Sequence, residues 1–129
     1  MAIHSMQERI SELRSRTAEA LRGGGTERLE KQRQAGKLTA RERVEALVDP
    51  RSFDEAGLFA EHRATLFGMA GKSFPADGVV TGAASIGGRL VHLASQDFTV
   101  SGGSEGEVHS LRSPRSCGSR SRPGRPSFF

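Results

Sequence analysis

Apolar residues near the start of the chain recur at helical spacing. Ile10, Leu13, Ala18 and Leu21 lie three to five residues apart with charged residues between them, and Gly23-Gly24-Gly25 follows. Apolar positions three or four residues apart lie on one face of a helix, and glycine commonly follows the last helical residue. The pattern therefore predicts a first helix that ends at the three glycines.

A second segment, mostly polar, runs from Thr26 to Gly36. Threonine is a good N-cap because its hydroxyl accepts a hydrogen bond from a free backbone N–H in the first turn. Glu27 and Lys31 are spaced as an i,i+4 ion pair, which supports a helix. We therefore predict a short helix that is capped by Thr26 and ends at Gly36.

A third helix is predicted from a capping box formed by Thr39 and Glu42. Its apolar face comprises Val44, Leu47 and Val48. It ends at Asp49-Pro50, because a proline ring disfavours helical backbone in the residue before it. Residues 53–72 mix polar and apolar positions and predict no single element.

Two alternating stretches follow, at residues 79–86 and 89–94, with Gly87-Gly88 between them. Glycines tolerate the positive φ of a two-residue hairpin turn, so these stretches predict a β-hairpin. Residues 95–100 continue as extended chain. Ser104 is then predicted to cap a new helix, with Glu107 completing a second capping box.

This last helix is predicted to break off after Ser110, where the composition changes. The remaining 19 residues, LRSPRSCGSRSRPGRPSFF, contain five arginines, no acid and the single cysteine. The chain has 19 basic and 15 acidic residues, but the first 110 residues carry all 15 acids and only 14 of the bases. The high pI of about 10.2 therefore reflects the tail. We divide the chain into a body, 1–110, and a Ser/Arg tail, 111–129, which we expect to be disordered.

The tail also fits a gene read one base out of frame. Under that shift a TC-type serine codon hides Phe, Leu, Ile or Val, and an arginine codon hides Lys, Glu or Gln, or a small residue. From Arg112 onward the constraints admit Q-I-A-E-V-M-R-L-A-L-K-T-G-A-P-I-V, an amphipathic helix followed by an apolar strand. We therefore predict a frameshift near codon 111, and a genuine Ser/Arg tail is the alternative.

Cysteine and hydropathy patterns bear on the location of the protein. A lone Cys117 cannot form an intramolecular disulfide, and no stretch reads as a signal peptide or a membrane span. We therefore expect a cytoplasmic protein. The four histidines, His4, His62, His92 and His109, show no metal-ligand spacing, so no metal site is predicted.

The body resembles the carboxyltransferase (β) subunit of biotin-dependent acyl-CoA carboxylases, the group of propionyl-CoA carboxylase and methylmalonyl-CoA carboxyltransferase. Several blocks carry the resemblance in the same order. They are Gly23-Gly24-Gly25, GKLTARERVEALVDPRSFDE from 36 to 55, EHR from 61, FGM from 67, PADGVVTG from 75, Gly88-Arg89, QDFTVSGGS from 96, Gly106-Glu107 and His109. The resemblance covers nearly all of the body and only the opening part of a family member.

The resemblance implies an α/β fold, in which N-terminal helices precede the first strands of a crotonase-like ββα spiral that is truncated here. It implies carboxyl transfer from carboxybiotin to a short-chain acyl-CoA, either propionyl-CoA or acetyl-CoA. Biotin would be carried by a biotin carboxylase or biotin carrier partner, and the full-length protein would be a homo-oligomer. The glycine-rich turns that stabilise the enolate lie downstream, so no catalytic residue is assigned and the fragment itself is expected to be inactive.

The resemblance places the acyl-CoA cleft near Phe98, Gly102, Gly103 and Ser104. Free N–H groups at a helix start could hold a CoA phosphate there, and ordinary turn and capping chemistry is the alternative. The three glycines at 23–25 could suggest a phosphate loop, but a helix break is the better interpretation because no Lys-Ser/Thr follows them.

Two further groups of residues could be functional, but each also has a structural interpretation. His62 with Arg63 could contact substrate or a neighbouring subunit, and a Ser-His-Asp triad of Ser104, His62 and Asp97 can be drawn on paper, but a structural role is preferred for the histidine. The charged residues around Arg41 are interpreted as a solvated mixed-charge face. Nucleic-acid binding through the tail arginines is the alternative function. The faintly acidic body and the lack of aromatic residues among the arginines argue against nucleic acid as the partner.

Overall fold

The computed structural model describes residues 5–65, 68–103, 106–117 and 127–128. The helices are α1 (Met6–Leu21), α2 (Thr26–Gln34), α3 (Ala40–Leu47) and α4 (Glu107–Cys117). The strands are β1 (Asp54–Ala56), β2 (Val79–Ile86), β3 (Arg89–Gln96) and β4 (Ser127–Phe128), and 3₁₀ turns lie at Pro75–Gly78 and Ser101–Gly103. The chain therefore begins with three helices and continues into a sheet.

The four strands form one sheet in the order β1-β2-β3-β4. The first three are antiparallel, and β4 pairs with β3 in parallel. Ile86 pairs with Arg89 across Gly87-Gly88, and both glycines have positive φ (56° and 76°). The predicted hairpin is confirmed, with its second strand extending to Gln96. A right-handed twist favours this mirror-image turn, which glycine adopts without steric cost.

The core lies between α3 and the hairpin. Its fully buried members are Ala40, Val44, Val80, Ala84, Val91 and Leu93. The capping box of Thr39 and Glu42 forms as predicted. The predicted apolar face is partly wrong, because Leu47 is half exposed and Ala40 is buried instead. Ala40, Val44 and Val48 are spaced by four residues and form the stripe that faces the sheet.

The two N-terminal helices differ from prediction at their caps. Ser5 and Glu8 form a capping box on α1 that the sequence analysis overlooked. The N-cap of α2 is Gly25 without a side-chain bond, so the prediction that Thr26 caps this helix is wrong. On α1 only Ala20 is buried, and three of the four predicted apolar positions, Ile10, Leu13 and Leu21, remain more than 40% exposed. The helix contacts the body at the Pro75–Gly78 turn, through a small part of its surface.

The last described helix also differs from prediction. It begins at Glu107, and Ser104, its predicted cap, lies outside the described residues. The helix does not break off after Ser110 but continues to Cys117. It packs on β2 and β3, so the ββα arrangement is present in the described part of the chain.

Candidate functional site

The predicted site loop directly follows β3. Phe98 is 68% exposed, whereas Thr99 and Val100 on its C-terminal side are buried. Gly102 and Gly103 have positive φ (66° and 76°), which glycine adopts readily. A Cβ added to Gly103 would lie 3.1 Å from the Phe98 ring, so the turn folds back closely against this side chain. The ring of Phe98 therefore lies at the surface, while Thr99 and Val100 next to it are buried.

A groove of about 500 Å³ separates this loop from α2. Its lining comprises Arg28, Lys31, Gln32, Ala35, Lys37, Phe98, Thr99, Ser101 and Gly102. A second groove, of about 470 Å³, adjoins it beyond Phe98 and is bordered by Lys37, Leu38 and Arg43. The residues that line the two grooves include four cations and no carboxylate. The site therefore combines positive charge with an exposed aromatic ring.

Thr99 connects the loop to the helices. Its hydroxyl donates to Oδ1 of Asp97 at 2.6 Å and accepts from the backbone N–H of Gly24 at 3.0 Å. Its carbonyl accepts from Nη1 of Arg28 at 3.2 Å. The same residue therefore contacts both the glycine turn and a cation of the groove.

The three glycines form the connection between α1 and α2, so the predicted helix break is confirmed. Sequence reasoning missed a second requirement, which is close packing. A Cβ added to Gly24 would overlap the carbonyl of Thr99, and one added to Gly23 would overlap the carboxylate of Asp97. Backbone that approaches this closely requires glycine, and the contacts span more than 70 residues of sequence.

The helix N-terminus near the site is arranged differently from the prediction. Gly102 and Gly103 lie in the 3₁₀ turn and do not open α4. Oδ2 of Asp77 accepts from the backbone N–H of His109 at 2.6 Å, so a carboxylate of the chain occupies the start of α4. The backbone N–H of His109 at the start of α4 is therefore already bonded to a carboxylate of the chain itself.

Residues 31–120 match the family described as the carboxyl transferase domain, which is more than half of the chain. The chain belongs to the carboxyl transferase domain family. The methylmalonyl-CoA carboxyltransferase 12S subunit of Propionibacterium freudenreichii subsp. shermanii is 55% identical over 108 residues, which are 84% of this chain and 21% of that protein. The mitochondrial propionyl-CoA carboxylase beta chain of Homo sapiens is 54% identical over 110 residues, 84% of this chain and 20% of that protein. The match thus spans about a fifth of the length of these relatives.

Solved structures agree with this assignment. The crystal structure of transcarboxylase 12S with methylmalonyl-coenzyme A and methylmalonic acid bound has a TM-score of 0.91 at 46% identity, and the match covers 100% of this chain and 26% of that chain. A single-chain, multi-domain long-chain acyl-CoA carboxylase has a TM-score of 0.79 at 28% identity, with 98% of this chain and 14% of that chain covered. The predicted family and the predicted α/β, crotonase-like fold class are both confirmed.

Two histidines of this carboxyl transferase domain, His62 and His109, have structural partners. His62 donates from Nε2 to the carbonyl of Lys72 at 2.6 Å and accepts at Nδ1 from the N–H of Ala64, and its ring meets Phe74 edge-on at 4.7 Å. His109 is buried and donates from Nδ1 to the carbonyl of Asp77. Within the described ranges, no group of three or more His, Cys, Asp or Glu side chains could hold a metal ion. None of the helices there has the length and apolar character needed to span a bilayer.

The predicted solvated face around α3 is confirmed in part: Arg43, Glu45, Arg51 and Asp54 are exposed, whereas Arg41 and Asp49 make contacts with distant segments. Arg41 forms a bidentate ion pair with Glu55 at 2.6 and 2.9 Å, and both side chains are partly buried. The carboxylate of Asp49 accepts from the N–H groups of Gly87 and Gly88 and so holds the hairpin turn. These contacts join segments that are 14 to 39 residues apart, which local charge pattern does not reveal.

Arg112 is the first arginine of the predicted tail, and it is buried. Its Nη1 donates to the carbonyls of Ala76 and Val79, and its Nη2 donates to the carbonyl of Ala56 and to the hydroxyl of Thr81. Burial lowers the pKa of its guanidinium, while the charges of Glu55 and Asp77 act in the opposite direction. The side chain therefore fastens α4 to β1, β2 and the Pro75–Gly78 turn.

Proposed function

We propose that the groove between α2 and the Phe98–Gly103 loop binds the CoA portion of an acyl-CoA. The observation that carries this proposal is the combination of Arg28, Lys31 and Lys37 with the exposed ring of Phe98 along one groove. CoA carries a pyrophosphate, a 3′-phosphate and an adenine ring. Cations bind the phosphates through charge-assisted hydrogen bonds, and an exposed aromatic ring offers a face on which a base can stack.

The reaction that we propose for the whole protein is transfer of a carboxyl group from carboxybiotin to a short-chain acyl-CoA. The relatives named for propionyl-CoA and methylmalonyl-CoA support this substrate class, and acetyl-CoA is the alternative acceptor. The chemistry requires fixed N–H dipoles where negative charge develops on the thioester enolate. We assign no described residue to that role, so Phe98, Gly102 and Gly103 are proposed for binding only. Ser104, the fourth predicted residue, lies outside the described residues.

Two partners are part of this proposal. Biotin would be supplied by a biotin carboxylase or carrier protein, as the resemblance implies. A homo-oligomer is supported by the hexamer assembly of the transcarboxylase 12S that this chain resembles. A cytoplasmic location stays a prediction.

The frame break near codon 111 also remains our proposal, with residues 111–129 read out of frame, although α4 itself continues past Ser110 to Cys117. DNA sequencing across codon 111 in independent isolates tests it, and an uninterrupted frame in all of them would contradict it. The alternative function, nucleic-acid binding by the tail, gains no support from the described residues. Arg112 is the tail arginine whose side chain is described, and its two Nη groups are bonded to four oxygens of the chain itself.

The test is calorimetric titration of the purified 129-residue chain with CoA. We expect saturable binding that weakens about tenfold in Lys31→Gln, because one charge-assisted contact is lost. Arg14→Gln on α1, outside the lining of both grooves, is the matched control and should bind CoA as the unaltered chain does. Absence of CoA binding, or an equal loss in the control, would contradict the proposal. With carboxybiotin and propionyl-CoA, we expect this chain alone to form no methylmalonyl-CoA.

A further inference from the structure

We propose that Thr99 is a positioning residue, which fixes the positions of Arg28 and Phe98 relative to each other in the groove. The part of this inference that concerns CoA rests on the proposed function. Thr99 is 5% exposed and is buried beneath the groove. Phe98 precedes it in the chain, and Arg28 bonds its carbonyl at 3.2 Å. Two of the groups proposed to contact CoA, Phe98 and Arg28, are thus attached to the same residue, one covalently and one by a hydrogen bond.

The hydroxyl of Thr99 fixes this residue from two sides. It donates to Oδ1 of Asp97 at 2.6 Å, and the same carboxylate oxygen accepts from the Thr99 backbone N–H at 2.9 Å. It also accepts from the N–H of Gly24 at 3.0 Å. A hydroxyl is required because a single oxygen must donate to one partner and accept from the other. The bond to Gly24 joins the loop to the turn from which α2 begins.

The glycine turn allows this attachment. An added Cβ on Gly24 would overlap the carbonyl oxygen of Thr99, which is the atom that Arg28 binds. The close approach of the two backbones therefore places the first turn of α2 within reach of Thr99. Movement of Thr99 would therefore displace Arg28 from the groove. The hairpin and the α3 core would stay in place, because Thr99 belongs neither to the buried core residues nor to the paired residues of β2 and β3.

The test compares Thr99→Val, which keeps the shape and removes the hydroxyl, with Thr99→Ser, which keeps the hydroxyl. Thr17→Val removes a hydroxyl that bonds within α1 and serves as the control. In hydrogen exchange of the ligand-free chain, we expect amides of α2 and the glycine turn to exchange about tenfold faster in Thr99→Val, since local opening there loses a hydrogen bond. Thr99→Ser and Thr17→Val should leave these amides unchanged. Unchanged exchange in Thr99→Val would overturn the proposal.

A double-mutant cycle gives the ligand readout. We expect Thr99→Val to weaken CoA binding about fivefold and Arg28→Ala about tenfold. The double variant should be weaker than Arg28→Ala by clearly less than about fivefold, because the part of the Thr99 effect that acts through Arg28 is already lost. Additive losses would show that Thr99 does not act through Arg28 and would overturn the proposal. If the unaltered chain does not bind CoA, the proposed function fails, while the exchange experiment still decides whether Thr99 holds the loop and α2 together.

Discussion

Asp77 caps the N-terminus of α4 from a position 32 residues earlier in the chain: its carboxylate accepts from the backbone N–H of His109 at 2.6 Å. The carbonyl of Asp77 also accepts from Nδ1 of His109 at 2.9 Å. Both Ala76 and Asp77 have positive φ (54° and 47°), a conformation that costs free energy in residues with a side chain. A Cβ on Gly106 would lie 2.7 Å from the carboxylate. The turn before β2 is thus shaped to hold the start of α4.

Replacing Asp77 should therefore destabilise the contact between α4 and the sheet. We expect Asp77→Ala to lower the free energy of unfolding by about 2 kcal/mol, because the His109 N–H loses its acceptor and the helix dipole loses a compensating charge. Asp77→Asn keeps an acceptor and tolerates positive φ, so it should cost less. Urea unfolding followed by circular dichroism measures both. Equal costs for the two variants would show that the hydrogen bond to His109 is not the source of the stability.

Arg112 provides a second attachment of α4. We expect Arg112→Met to lower the free energy of unfolding by about 3 kcal/mol, because the buried carbonyls of residues 76 and 79 and the carbonyl of residue 56 lose their donor. Arg112→Lys keeps the charge and should recover part of that loss. Urea unfolding of the two variants measures the difference. Arg9→Met, at an exposed position of α1, is the control. A stability loss in the control as large as in Arg112→Met would contradict the structural role.

The frameshift proposal predicts that the hidden sequence suits the fold better than the tail does. We would keep Arg112 and replace residues 113–128 by IAEVMRLALKTGAPIV. In the present chain Pro114 lies inside α4, where it has no N–H to donate and costs about 3 kcal/mol relative to alanine. Thermal unfolding should show a higher Tm for the replaced chain. A shuffled version of the same 16 residues is the control, and an equal Tm for the two replacements would contradict the proposal.

Glu42 should make the stability depend on pH. Its pKa is lowered, chiefly by the hydrogen bond from the Thr39 N–H and then by that from Arg33. A group whose pKa is lower in the folded state stabilises the fold above its unfolded pKa, about 4.3 for glutamate, and loses that contribution as the pH falls through the folded pKa. Glu42→Gln should therefore be less stable than the unaltered chain at pH 7, and the gap should close below about pH 4.

The control for this effect is Glu45→Gln, an exposed position on the same helix. Its stability should follow that of the unaltered chain across the pH range. Chemical unfolding at a series of pH values measures all three proteins. A gap between Glu42→Gln and the unaltered chain that stays constant down to pH 3 would show that the carboxylate charge of Glu42 does not contribute.

Local patterns predicted much of this fold. The capping box at Thr39, the glycine turn of the hairpin and the helix break at residues 23–25 each depend on neighbours within a few residues, so the sequence shows them directly. The burial of Ala40 in place of Leu47 was missed because the face of a short helix depends on the angle at which it meets the sheet. The position of that sheet is not encoded within the helix.

The candidate site was only partly predictable for a related reason. Phe98 and the glycines after it were identified because they belong to a sequence motif that resembles the family. Two of the groove cations, Arg28 and Lys31, lie on α2, some 70 residues earlier, and no local pattern indicates that pairing. A CoA phosphate was predicted to bind at the start of a helix, but the carboxylate of Asp77 already accepts a backbone N–H of α4 there. The contacts between segments that are distant in the sequence could be identified only from the three-dimensional structure.

The most direct test of this account is to map where CoA binds on the chain. Amide chemical shifts of the ¹⁵N-labelled protein would be followed during titration with CoA. We predict that the largest changes fall in residues 26–37 and 97–103, which border the groove, with few changes at a separate groove around Gly57 and Val108. Saturable changes confined to that separate groove, or no changes at millimolar CoA, would contradict the assignment of the Phe98 loop as the CoA site.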